Sequence, residues 1–287
     1  MPERMRYVLS DVIAWVLRRV VKYRRGVIDR NLQIAFPDKP LAERNDIRND
    51  FYTHFTDIAL EQTWLFSATN EQILARNKLL NPELIDQFIR DGKSIMLAAG
   101  HHNNYEMGAA SLALQFPLPL AVIYARLANP YFDERVRETR GRFGVTLWPR
   151  GEIKKEVIEW SKKFDAFSIG FAFDQSPHES NRKYWVPFFG RASAMTTGLE
   201  SYSKRLDAVV VFIYCTRIRR GYYEIRMQEV SADPKSEADG EITAKAAALL
   251  EQVIREDPVG WLWSHRRWKL DIDKHLLKID TVVDLAE

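Results

Sequence analysis

The chain is short of the features that make a function easy to read. It has one cysteine in 287 residues, which excludes an intrachain disulfide. Cys215, inside the apolar run AVVVFIYC, has no thiol partners for a metal site and reads as a buried structural thiol. No G-x-S-x-G elbow marks a serine nucleophile. The six histidines never form H-E-x-x-H, and no metal site is expected. No repeat and no Gly/Ser/Pro-rich linker divides the chain. No apolar run approaches the roughly 20 residues of a membrane span, and no small-residue cleavage site follows the first apolar segment, so a signal peptide is not expected. A net charge of +3 is too small to imply nucleic-acid binding, and none is expected.

What is present is an ordinary globular composition, 46% hydrophobic and 28% charged, long enough for one large domain or two small ones. The charge is uneven. Residues 1–30 hold eight Arg or Lys against three acids, a local net of +5. In the same stretch Val8, Leu9, Val12, Ile13, Trp15, Val16 and Val20 recur at helical spacing. A basic amphipathic helix with a tryptophan can lie in a bilayer interface with arginines toward anionic headgroups. It can equally pack on its own domain with a solvated basic face. The expected organisation is a membrane-association helix over 1–30 and a single α/β domain over 31–287, with a helical lead-in over about 41–80.

That lead-in follows Pro37 and Pro40, and Ile47, Phe51, Phe55, Ile58 and Leu65 supply its apolar face. From residue 82 short apolar strands (SIMLAAG, LAVIYA, VTLWP, AFSIGFAF, AVVVFIYC) alternate with helices. The segment 174–193 reads as a loop, followed by a helix over 196–206, a strand near YYEIRM and a helix over 241–256. This predicts an α/β fold with a largely parallel central sheet flanked by helices. Ligands collect at the carboxyl ends of such strands, where both GHHNNYE (100–106) and Asp174-Gln175 fall.

His101 and Glu106, five residues apart, would point about 140° away from each other on one helix. They can meet only if the helix begins between them. Asn103 is a good N-cap, which puts Glu106 at N3 with its carboxylate folded back toward the cap. The pattern therefore reads two ways, as a capping box or as a His–Glu pair in which a neutral imidazole deprotonates a hydroxyl and the carboxylate stabilises the imidazolium. With no nucleophile signposted, such a pair suits direct transfer, the acceptor hydroxyl itself attacking an activated acyl group.

GHHNNYE also resembles the H-x-x-x-x-[D/E] signature of glycerolipid and lysophospholipid acyltransferases. RNLQIAFP (30–37), IYARLANPYFDERVRETRGRFG (123–144), FAFDQSP (171–177), VPFFGRASAMTTG (186–198) and PVGWLWSHRRWK (258–269) narrow the resemblance. Over about residues 27 to 270 they are similar, in order, to the late acyltransferases of bacterial lipid A biosynthesis. The resemblance implies His101 as general base and Glu106 as its orienting carboxylate. It implies Arg126 as a contact to anionic substrate, Asp174 and Gln175 as a strand-end buttress of the substrate site, and 261–269 as a structural or headgroup-facing closing segment. It further implies an acyl-carrier protein or acyl-CoA donor, a lipid acceptor, no cofactor, and a peripheral or monotopic place on the cytoplasmic face of the bacterial inner membrane. This chain departs from the family pattern where His102 and Asn103 replace an aromatic residue and glycine, and in its shorter, more charged N-terminal helix. Two other readings are a condensation-type acyltransferase working through His102 and a non-catalytic lipid-binding protein. Phe116, Trp148, Phe188 and Phe189 are candidates for the floor of an acyl groove.

Overall fold

The computed structural model describes residues 1–284. The N-terminal region is helical: α1 (Glu3–Val16), α2 (Arg25–Ala35), the long α3 (Leu41–Leu65) and α4 (Asn70–Leu74). Alternation follows, through β1 (Asn77–Leu79), α5 (Asp86–Arg90), β2 (Ile95–Ala99), α6 (Tyr105–Gln115), β3 (Leu120–Tyr124), α7 (Pro130–Arg142), β4 (Val145–Pro149), α8 (Ile153–Lys163) and β5 (Ser168–Ala172). The remainder comprises β6 (Lys183–Phe188), β7 (Arg191–Thr196), α9 (Gly198–Leu206), β8 (Val209–Arg219), β9 (Tyr222–Ser231), α10 (Glu241–Glu256), α11 (Ile272–His275) and β10 (Thr281–Val282).

The expected α/β architecture is what forms. A seven-stranded sheet runs β1-β9-β8-β2-β5-β3-β4, parallel except at the β8–β9 pair. Its central strands are buried on both faces, which is why they read as continuous apolar runs. Ile95 and Leu97 pack with Leu112 of α6 on one side. Met96 and Ala98 pack with Leu250 and Ile254 of α10 on the other.

Two expectations are corrected here. Residues 174–193 are not simply loop: β6 and β7 form a hairpin joined at Phe189-Gly190. Both turn residues have positive φ, 54° and 67°, the geometry of a two-residue turn matched to strand twist. The buried Trp185 donates through Nε1 to Asp280 at 3.1 Å. The basic N-terminal segment is also not one helix. A π-helical turn at Leu17–Val21 ends α1, and the chain reverses through Lys22 and Arg24, both left-handed, into α2. The lead-in expected over about 41–80 is helical at Leu41–Leu65 and Asn70–Leu74, with Ile47, Phe51 and Leu65 buried, and then gives way to strand β1 at Asn77–Leu79.

α1 is inside-out. Its protein-facing side is Arg6, Tyr7, Ser10 and Ala14, held on α3 by Tyr7 to Glu61 at 2.9 Å and Ser10 to Asp57 at 2.6 Å. Its outward side is Met5, Val8, Val12 and Trp15, all more than half exposed. No described helix is long and apolar enough to cross a membrane.

Candidate active site

The sheet's register builds the site. β2 and β5 are parallel neighbours with Ala99 opposite Ala172, and the pairing continues through Phe173 N–H to the Ala99 carbonyl at 3.1 Å. Two residues past each of these partners lie His101 and Asp174. The backbone N–H of His101 donates to Asp174 Oδ2 at 3.0 Å, and its Nδ1 lies 2.7 Å from Asp174 Oδ1. Trp261 Nε1 donates to the same Oδ2 at 2.9 Å. Asp174 is thus a fully coordinated, 2% exposed carboxylate. Burial alone would raise its pKa, but the His101 charge and these donors outweigh that and hold it well below the usual carboxylate range. Burial pulls the His101 pKa down, while the Asp174 charge and hydrogen bond, helped by the Glu106 charge, overcome it and leave the imidazole with a raised pKa.

With Nδ1–H committed to the carboxylate, Nε2 keeps its lone pair. Gln175 places its side-chain amide nitrogen 3.3 Å from that atom. This is the tautomer a general base needs. Tyr105 stacks edge-on against the ring, centroids 4.9 Å apart.

Glu106 does not fold back onto His101. The N-cap of α6 is Asn104, whose side chain accepts from Met107 N–H at 2.9 Å, not Asn103. The shift puts Glu106 at the second helical position, where Arg140 of α7 grips both its oxygens at 2.5 to 2.9 Å. Asn103 instead takes a left-handed conformation, φ 52°, one that asparagine tolerates better than most residues. Its N–H donates to the Gly260 carbonyl at 2.8 Å. Gly260 is required there: a Cβ would come within 2.8 Å of His102 Nε2 and 2.9 Å of Asn103 Oδ1. His102 is 3% exposed and lies with Nε2 2.9 Å from the Asp257 carbonyl and Nδ1 3.2 Å from the Asn103 amide. A carbonyl only accepts, so Nε2 holds the proton, and His102 fastens the 257–261 segment to the site.

A cavity of about 920 Å³ opens beside His101. Its polar end holds His101, Glu106, Arg140, Arg150 and Gln175, and its apolar end runs between α6 and the sheet along Leu112, Val122, Gly170, Ile213 and Cys215. The Cys215 thiol is pushed up to about 12 by burial, so it stays neutral wall. None of Phe116, Trp148, Phe188 and Phe189 lines this cavity. Trp148 and Phe188 are fully buried core.

Arg126 does not line the cavity that its neighbours Ala125 and Leu127 line. Its side chain is 61% exposed and its guanidinium pairs with Glu152 at 2.6 Å. Arg150 is the cation at the mouth without a carboxylate partner among the described residues. Sequence reasoning missed Arg140, Arg150 and the Trp261 indole. Arg140 lies inside a segment that the family resemblance had marked, but nothing in its spacing tied it to Glu106.

A deep apolar channel ending at a carboxylate-oriented imidazole, on the carboxyl edge of a parallel sheet, is the arrangement of an acyl-transferring enzyme. The family description "Bacterial lipid A biosynthesis acyltransferase" matches residues 1–270, and the chain belongs to that family. It is similar to the lipid A biosynthesis lauroyltransferase of Escherichia coli K12, 24% identical over 275 residues covering 94% of this chain and 87% of that protein. A lipid A biosynthesis acyltransferase of Haemophilus influenzae Rd is 23% identical over 242 residues, 83% of this chain and 74% of that one. The palmitoleoyltransferase of E. coli K12 is 24% identical over 273 residues, 91% and 84% of the two chains.

Proposed function

We propose that this acyltransferase moves a fatty acyl chain from a thioester donor, an acyl-carrier protein or acyl-CoA, to a hydroxyl of a lipid A precursor or related glycolipid. The acyl chain lies in the apolar channel beneath α6, with its thioester carbonyl at the polar mouth. His101 Nε2 takes the proton of the acceptor hydroxyl as the oxygen attacks the carbonyl carbon. The resulting imidazolium returns the proton to the departing thiol as the tetrahedral intermediate collapses. Asp174 fixes the tautomer and balances the imidazolium. Glu106 completes the H-x-x-x-x-E pattern as a second negative charge near the ring, itself set by Arg140. Gln175 steadies Nε2 before substrate arrives. Arg150 is better placed than Arg126 to meet an anionic group of donor or acceptor.

The observation that carries this reading is the 2.7 Å His101–Asp174 contact at the polar end of an acyl-sized cavity. The outward apolar face of α1 supports a peripheral place on the membrane surface that holds the lipid acceptor. Residues 1–30 then serve membrane association, and 31–287 form the transferase domain. The test is mass spectrometry of lipids after incubation with a ladder of acyl donors, run beside His101→Ala. A product ladder that persists in a clean His101→Ala preparation rules out the proposed base.

A further inference from the structure

A separate cavity of about 610 Å³ lies between α2 and the segment 266–269, and shares no lining residue with the His101 cavity. Six cations surround it: Lys22, Arg24, Arg25, Arg30, Arg266 and Lys269. Lys22, Arg30, Arg266 and Lys269 are exposed, and none has a carboxylate within ion-pairing distance among the described residues. Arg24 spends one nitrogen on the Ser264 carbonyl at 3.1 Å. Asp29 lies 3.6 Å from Arg25 and is also held by Arg48 at 2.6 Å. Four of the six cations around the cavity therefore carry positive charge that no carboxylate among the described residues pairs.

It is also a constructed hollow. Lys22 and Arg24, which line it, both adopt the left-handed conformation, φ 52° and 49°, costly for side chains other than glycine and asparagine. The buried Asn31, behind the cavity, donates to the Trp263 and His265 carbonyls at 2.8 and 2.7 Å, clamping α2 against the opposite wall. The Trp268 ring closes one side.

We propose that this cavity binds the phosphomonoester headgroup of a membrane lipid. Guanidinium forks suit phosphate oxygens, and several cations together match a dianion. The choice of a lipid over a free anion or an acidic protein rests on the rim. Val20 and Val21, 64% and 58% exposed, immediately precede Lys22 and add to the exposed apolar side chains of α1. An acyl region and a phosphate offered together by one surface describe a bilayer.

Flotation with phosphatidylcholine vesicles, with and without phosphatidic acid, tests the assignment. The triple variant Arg30→Gln, Arg266→Gln, Lys269→Gln removes three exposed, unpaired charges. It is expected to weaken binding to phosphatidic-acid vesicles roughly tenfold or more. Binding to pure phosphatidylcholine should be unchanged, as should hydrolysis or transfer of a soluble thioester. A control triple elsewhere, Lys78→Gln, Lys154→Gln, Lys155→Gln, should leave vesicle binding near wild type. Equal weakening by both triples would reduce the effect to general charge and overturn the site. Saturable binding of inorganic phosphate that vesicles do not displace, or loss of carrier-protein binding with vesicle binding intact, would overturn the lipid assignment.

Discussion

His101 and Asp174 leave adjacent parallel strands two residues beyond a matched register pair, Ala99 and Ala172, and meet at 2.7 Å. Their encounter is a property of the sheet, not of a flexible loop. Burial of the Asp174 side chain, with Trp261 donating to the far oxygen, leaves the carboxylate one geometry in which all its contacts are made.

Replacing Asp174 by Asn keeps the shape and removes the charge. The imidazole then loses the anion that raises its pKa, while burial continues to pull it down. We expect kcat to fall by roughly 10²–10⁴-fold. The acid limb of the pH–rate profile, set by deprotonation of His101 and lying above its ordinary value of about 6.5, should move to lower pH. A wild-type acid limb in Asp174→Asn would show that the carboxylate does not control the base.

In the proposed mechanism Glu106 acts on His101 through its charge, since its oxygens are bound by Arg140. Glu106→Gln should shift the same limb downward by less than Asp174→Asn and lower kcat by roughly tenfold or more. Glu106→Gln paired with Arg140→Gln should recover stability but not rate, because the unpaired guanidinium is gone while the missing charge is not restored. Thermal denaturation and steady-state kinetics on the same preparations separate the two effects.

The alternation of short apolar strands with helices was enough to anticipate the parallel sheet and to put His101 and Asp174 at strand ends. Which strands are neighbours was not legible. β2 pairs with β5 and β8, long-range choices with no local signature, so local spacing points His101 to a carboxylate five residues away instead of the one 73 residues away. The one-residue slip of the helix cap from Asn103 to Asn104 had the same origin. It follows from Asn103 being drawn left-handed against Gly260, a contact across the fold. The 183–196 hairpin was hidden because Pro187 and flanking charges mask strands buried on both faces.

Chain length should respond to Val122, which lines the apolar end of the His101 cavity from β3. Val122→Phe fills part of that space and is expected to shift products toward shorter acyl chains. Val122→Ala opens it and should admit longer ones, at a stability cost of about 1–3 kcal/mol. The distribution of acylated products by mass spectrometry reports both. Parallel shifts in the same direction would place the acyl chain elsewhere.

The inverted polarity of α1 makes a separate expectation. Val8, Val12 and Trp15 are 64%, 55% and 54% exposed and make no core contact that their loss would damage. Val8→Asp with Val12→Asp should leave the melting temperature near wild type, weaken vesicle association and make the protein easier to extract without detergent. Unchanged membrane association in this double variant would remove α1 from the binding surface.

Acid should destabilise the fold through two histidines that the folded chain holds neutral. Burial drives the His54 pKa down to about 3, with Arg217 adding repulsion at 2.6 Å from its Nδ1. His265 falls to about 4, chiefly through burial, with its Nε2 accepting from the Ser176 N–H. Both stay neutral in the folded chain, whereas unfolded histidine protonates near pH 6.5. Below that pH the unfolded state binds more protons, so stability declines as pH falls from about 6.5 toward 4, by up to about 1.4 kcal/mol per unit for each histidine and less for the partly exposed His265. His101 does not offset this: its raised pKa leaves it protonated in both states over most of that window. Its own contribution is fully present below about 6.5 and is lost as pH rises through its folded value. Urea titrations from pH 7 to 4.5 should show the decline, and His54→Gln should flatten it. A flat profile in the wild-type chain would mean that His54 and His265 take up protons in the folded state.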